Sequence, residues 1–129
     1  MEETRFEAGN LVLAVRELHT RLGDGVSVDF LARDGKTETS LLRFDWFPDC
    51  PHYHYNPRME TMREVPLDPA LVGDSMDWFL DRIPDRLPAM IESAGHPAVA
   101  RAIDRAAIAR LMPEIKGTAK SLAESVTAA

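Results

Sequence analysis

Apolar and polar residues alternate one for one along much of the first half of the chain. Val26, Val28, Phe30 and Ala32 are interleaved with Ser27, Asp29, Leu31 and Arg33, the period-two pattern of a strand with one buried face. Asp34-Gly35 follows, and glycine's tolerance of positive φ suits a tight hairpin turn. The return strand spans residues 37–47, with Leu42, Phe44 and Trp46 on one face and Arg43 and Asp45 on the other. Upstream, residues 11–22 carry two patterns at once. Leu11, Val12, Val15, Leu18 and Leu22 fit one helical stripe capped by Asn10, whereas the unbroken run from Leu11 to Val15 suits a buried strand. The strand is favoured, because it would widen a two-stranded ribbon that is marginal alone.

Beyond Pro48 the aromatic alternation His52-Tyr53-His54-Tyr55, the turn-like Asn56-Pro57 and a second short run at residues 61–65 predict another antiparallel pair. Pro51 and Pro57 bracket the first of these strands, which places its ends at bends or sheet edges. From Pro66 the period changes to 3.6. Asp68-Pro69 supplies a cap and first turn, and Leu71, Val72, Met76, Phe79, Leu80 and Ile83 form the stripe. Pro84 and Pro88 are expected to break or kink that helix before it resumes through Leu87, Met90 and Ile91 to Gly95. A helix from His96-Pro97 should end near Pro113, and a last one runs from Ile115 to about Val126. The fold class predicted is therefore α+β. An antiparallel meander over about residues 11–65 precedes three or four helices over about 67–126, all within one domain spanning 1–129.

Charge narrows the partners. Fifteen Lys and Arg against twenty-one Asp and Glu give a net charge of −6, which argues against a nucleic-acid surface. Residues 1–84 hold sixteen of the acids and nine of the bases, so the sheet half carries the excess. The start, Met1-Glu2-Glu3-Thr4-Arg5, lacks the pattern of a secretory signal, and the longest apolar run is only Leu11 to Val15. The lone Cys50 cannot form an internal disulfide. A cytoplasmic protein without membrane partners is expected.

Candidate chemistry concentrates in Cys50-Pro51-His52-Tyr53-His54-Tyr55. In an extended strand His52 and His54 share a face about 7 Å apart, a spacing at which two imidazoles can hold one ion. Cys50 has the same parity, and Asp45, Asp49 and His19 are further candidates for completing a site for zinc or another divalent metal. Two other roles fit the same residues. The histidines can simply be hydrogen-bonded on a polar face while Tyr53 and Tyr55 serve the core, or the segment can grip a ligand or another subunit, with Trp78 as a further contact. Trp46 and Phe79 fall on core positions. No phosphate-binding glycine loop and no serine nucleophile elbow is present, and nothing readable supports Cys50 as a nucleophile.

The run Leu42-Arg43-Phe44-Asp45-Trp46-Phe47, the segment Pro51-His52-Tyr53-His54-Tyr55-Asn56-Pro57 and the helix start Pro66-Leu67-Asp68-Pro69 resemble a family of small bacterial proteins of largely uncharacterised function. The resemblance covers about residues 11–95. The chain is also similar to the small subunit of ATP-dependent ketone carboxylases of the acetophenone carboxylase type. That likeness implies an accessory subunit without a complete active site, whose partners are larger hydantoinase-like protein subunits carrying the nucleotide and substrate chemistry. It transfers no catalytic residue.

Overall fold

The computed structural model describes residues 3–128. Six strands follow one another as an antiparallel meander, each paired with its sequence neighbours: β1 (Glu3–Ala8), β2 (Leu11–Thr20), β3 (Gly23–Asp34), β4 (Thr37–Trp46), β5 (His52–Tyr55) and β6 (Arg63–Pro66). Four helices come after: α1 (Pro69–Val72), α2 (Ser75–Ser93), α3 (Pro97–Arg101) and α4 (Arg105–Thr127). This is the expected α+β layout, and residues 11–20 are strand. No helix among the described residues is long and apolar enough to cross a membrane.

The two faces of the sheet are chemically opposite, as alternation dictates. One cross-strand row reads Phe6, Leu13, Phe30, Leu42, Tyr55, and all five are buried under the helices. Phe79 of α2 closes this core from above, stacked on Phe44 at 4.6 Å between centroids and edge-on to Phe30. The next row reads Arg5, Ala14, Asp29, Arg43, His54, Glu64, and the second one after it Glu3, Arg16, Ser27, Asp45, His52, Pro66. These rows lie on the face opposite the helices. At Phe30/Leu31 the register shifts, so that Leu42 and Ser40 take the partners and Leu41 is left over. Such a bulge lets one strand keep its polar residues on one face on both sides of the irregularity. Here it turns Ser40, Arg43 and Asp45 to the same side.

Several sequence expectations are corrected. β1 was not foreseen: Glu3-Thr4-Arg5-Phe6-Glu7-Ala8 has two buried side chains, and its outer face is charged, as suits an edge strand. Pro84 and Pro88 do not interrupt α2, and Pro113 does not end α4. A proline inside a helix costs about 3 kcal/mol, yet Ile83, Leu87 and Ile91 are fully buried beside the first two, and Met112 and Ile115 flank the third. Burying such side chains contributes roughly 1.5–3 kcal/mol each, which offsets the lost hydrogen bonds. The real boundary falls at Ala102–Asp104, where the Asp104 side chain accepts from Ala107 N–H and starts α4. Asp68 and Asp74 cap α1 and α2 in the same way. Trp46, expected in the core, is only half-buried at its edge.

Candidate metal centre

Strand alternation and register together assemble the polar cluster. His52 and His54 are two apart on β5 and share the face away from the helices, while Tyr53 and Tyr55 point to the core, Tyr53 packing against both Phe79 and Tyr55. Asp45 is the cross-strand partner of His52, and Glu64 of β6 is the partner of His54. Three potential ligand atoms, from Asp45, His52 and His54, therefore converge within 4.8 Å of one another, and Glu64 approaches the two imidazoles from the rim. Asp45 Oδ2 lies 3.5 Å from His52 Nε2 and 3.2 Å from His54 Nε2, and Glu64 Oε1 lies 3.9 Å and 3.8 Å from the same two nitrogens. Four ligands about 2.0–2.1 Å from a tetrahedral ion are separated by about 3.4 Å. The four nitrogen-to-oxygen spacings bracket that value.

Neighbouring groups hold these side chains in place. The Arg43 guanidinium donates from Nε and a terminal nitrogen to the two Asp45 oxygens at 2.9 and 3.1 Å. His52 Nδ1 lies 2.8 Å from the Cys50 carbonyl; donating there, it leaves Nε2 with its lone pair toward the cluster, as is usual for a metal-bound imidazole. The Phe47 ring stacks on His52 with centroids 5.8 Å apart. His54 Nδ1 is buried without a partner. Asp45, His52 and His54 are all buried, whereas the Glu64 side chain is largely exposed at the rim.

The electrostatics divide the two imidazoles. The hydrogen bond to Asp45 raises His52 above the usual histidine value, against the opposing effect of burial. Burial dominates at His54 and lowers it despite the nearby Asp45. For Asp45 burial alone would raise the carboxyl, but the bonds from His52 and Arg43 outweigh it and hold it below the ordinary range.

Of the residues expected from sequence, His52, His54 and Asp45 come together. Cys50 contributes its backbone carbonyl, not its sulfur. His19 is engaged by Asp24 and Glu17 at the far end of the β2–β3 hairpin, and Asp49 lies exposed in the β4–β5 connection. Trp78 is half-buried with the Arg82 guanidinium over its ring; together with Tyr53 and Tyr55 it lines a separate groove on the helical side. Glu64 and Arg43 were missed. Their signal lay in strand register, which local spacing does not reveal.

A cavity of about 480 Å³ opens over the cluster, lined by Asp45, His52, His54 and Glu64 and by Arg16, Arg21 and Phe47 among others. A six-stranded meander with helices on one face, and a cavity with a buried His/Asp cluster on the other, defines the class: a small α+β protein. Residues 5–119 match the family described as a domain of unknown function (DUF7700), and the chain belongs to that family. Neither the curated proteins nor the solved structures compared with it include a match.

Proposed function

We propose that the protein binds one divalent transition-metal ion through His52 Nε2, His54 Nε2 and Asp45, with Glu64 at the rim, in a site open to solvent. The observation that carries this reading is the convergence of His52 Nε2, His54 Nε2 and an Asp45 oxygen within 4.8 Å of one another, with Glu64 Oε1 3.8–3.9 Å from the two nitrogens. A mixed nitrogen and oxygen set suits zinc and its first-row neighbours. Three buried ligands and one exposed carboxylate resemble an accessible site more than a closed structural one. Bound there, a metal would supply Lewis acidity and a water acidic enough to act near neutral pH. Glu64 at the rim is then either the fourth ligand or the base that takes a proton from that water.

The test is direct. Chelator-stripped protein titrated with zinc should take up one ion per chain, and the His52→Ala/His54→Ala variant should lose most of that affinity while staying folded. A stripped wild-type chain that remains folded and binds neither zinc, manganese, cobalt nor nickel would end this reading. The accessory-subunit role implied by the carboxylase likeness is a separate proposal that rests on sequence likeness alone.

A further inference from the structure

The same cavity is flanked by cations with no role in holding the metal ligands. Arg16 lies on β2 in the row Arg16, Ser27, Asp45, His52, two strands away from Asp45. Successive strands are about 4.8 Å apart, so its backbone is roughly 10 Å from that of Asp45, within reach of an extended arginine. Arg21 stands at the turn that follows β2 and lines the same cavity. Neither makes an ion pair with any described residue, although Arg5, Arg33 and Arg43 all do. Of the other carboxylates on this part of the polar face, Glu3 stands opposite Arg16 in register and Glu38 lies nearby, but both pair with Arg5, and Asp29 accepts from Ser40 Oγ at 2.5 Å; with Arg16 these three line the neighbouring cavity. Beneath Arg16 the Ser27 hydroxyl is fully buried without a partner.

We propose that this cavity takes a small phosphate monoester, its phosphoryl oxygens held between the metal and the guanidinium groups of Arg16 and Arg21. The reading rests on the metal site proposed above. Charge selects the group. A divalent ion is neutralised by Asp45 and Glu64, which leaves Arg16, Arg21 and Arg43 as an excess of positive charge around the cavity. A phosphoryl dianion answers that excess better than a single carboxylate, and its oxygens match the guanidinium fork. Size and lining select the rest. About 480 Å³ is in the range of small-molecule sites and exceeds the needs of a bare anion. Leu18, Phe47 and the 62%-exposed Leu22 supply apolar surface at the mouth for an organic substituent. The net charge of −6 disfavours a long polyanion.

Phenyl phosphate and benzoate, which share a ring and differ in the anionic group, are the probes. Each is titrated calorimetrically into the zinc-loaded full chain, and zinc content is measured on every sample. Phenyl phosphate should bind wild type at least about tenfold more tightly than benzoate does, and Arg16→Gln/Arg21→Gln should weaken it by at least about tenfold, the loss expected for a charge-assisted hydrogen bond. Zinc should stay at one per chain in that variant. Equal affinity in the two proteins, or a preference for benzoate, overturns the proposal. If Arg16→Gln does not fold, Arg21→Gln alone, at an exposed turn, gives the same comparison. A wild-type chain that takes up no zinc refutes the metal reading by itself. Arginine-dependent binding of phenyl phosphate to that zinc-free chain would still support the phosphoryl pocket, and its absence there would overturn it too.

Discussion

Asp45 and His52 are register partners across β4 and β5, and the Asp45 carboxylate oxygen that faces His52 at 3.5 Å also faces His54 at 3.2 Å. One buried carboxylate thus serves two imidazoles, with Arg43 holding its orientation. The arrangement follows from strand alternation on β5 and from the bulge at Leu41, which keeps Arg43 and Asp45 on the polar face alongside Ser40.

Replacing Asp45 by Asn should therefore damage binding more than folding. The amide keeps the volume but loses the charge and one acceptor, so zinc affinity should fall by about 10–100-fold or more. Stability without metal should fall by about 1–3 kcal/mol, because Arg43 and His52 lose a charged partner in a largely buried setting. Calorimetric zinc titration and urea unfolding in chelator read the two effects separately. A variant with wild-type zinc affinity would exclude Asp45 as a ligand.

Cys50 is the control residue. Its carbonyl accepts from His52 Nδ1, while its thiol stands outside the convergent set. Cys50→Ser leaves the carbonyl in place and should bind one zinc ion with an affinity within about threefold of wild type. A loss on the scale expected for Asp45→Asn would show that the sulfur reaches the metal.

Much of this was legible in the chain, and the limits have physical causes. Period-two alternation at residues 26–33 and 52–55 located both strands and set His52 and His54 apart from Tyr53 and Tyr55, because side-chain direction in a strand depends on parity alone. Asp45 could be suspected as a neighbour. Glu64 could not, since its place opposite His54 depends on the β5–β6 register across a loop of seven residues, 56–62. Asn56 was read only as a turn residue. It takes φ +51° and is buried, accepting or donating to His96, Thr61 and the Ala94 carbonyl, contacts that join the loop to the end of α2. Intrinsic propensity places helix ends at the three prolines, whereas tertiary burial of Ile83, Leu87, Ile91 and Ile115 decides the outcome.

Gly25 is required by crowding, not by turn geometry. A methyl group there would stand 2.2 Å from the Trp46 carbonyl oxygen and 2.7 Å from the Phe47 ring, and Phe47 in turn rests on His52. Gly25→Ala must push the end of β4 away, at a cost of about 2–3 kcal/mol. The melting temperature in chelator should drop by roughly 5–15 °C. An unchanged melting curve would mean that β4 yields freely at this point.

Asn56→Ala removes a side chain that answers three groups and asks alanine to occupy a left-handed conformation. The conformational part costs about 1–2 kcal/mol, and each buried hydrogen bond lost adds about 1 kcal/mol. A loss of about 4–5 kcal/mol in urea unfolding is expected. Asn56→Gly should recover the conformational share and remain destabilised by the rest. If glycine is as damaging as alanine, the strained backbone contributes nothing.

In metal-free protein the ion pair between His52 and Asp45 should appear as a pH-dependent stability with a definite sign. His52 is raised in the folded state, chiefly by Asp45, so its contribution is fully present below its unfolded value of about 6.5 and disappears as pH rises through the folded one. Asp45 is lowered against its burial by bonds from His52 and Arg43; its contribution is present above an unfolded value of about 3.9 and is lost as pH falls through the folded one. The pair is therefore strongest between about pH 4 and 6.5. His54 acts in the opposite sense, since burial lowers it and the unfolded chain then takes up the proton first. Comparing wild type with His52→Gln removes most of that effect, because its largest cause is burial and His52 contributes only a smaller repulsion. In chelator, the stability deficit of His52→Gln should be larger at about pH 5.5 than at about pH 8.5. A deficit that grows toward alkaline pH would show that His52 is held as the neutral imidazole and that Asp45 draws its stabilisation from Arg43 alone.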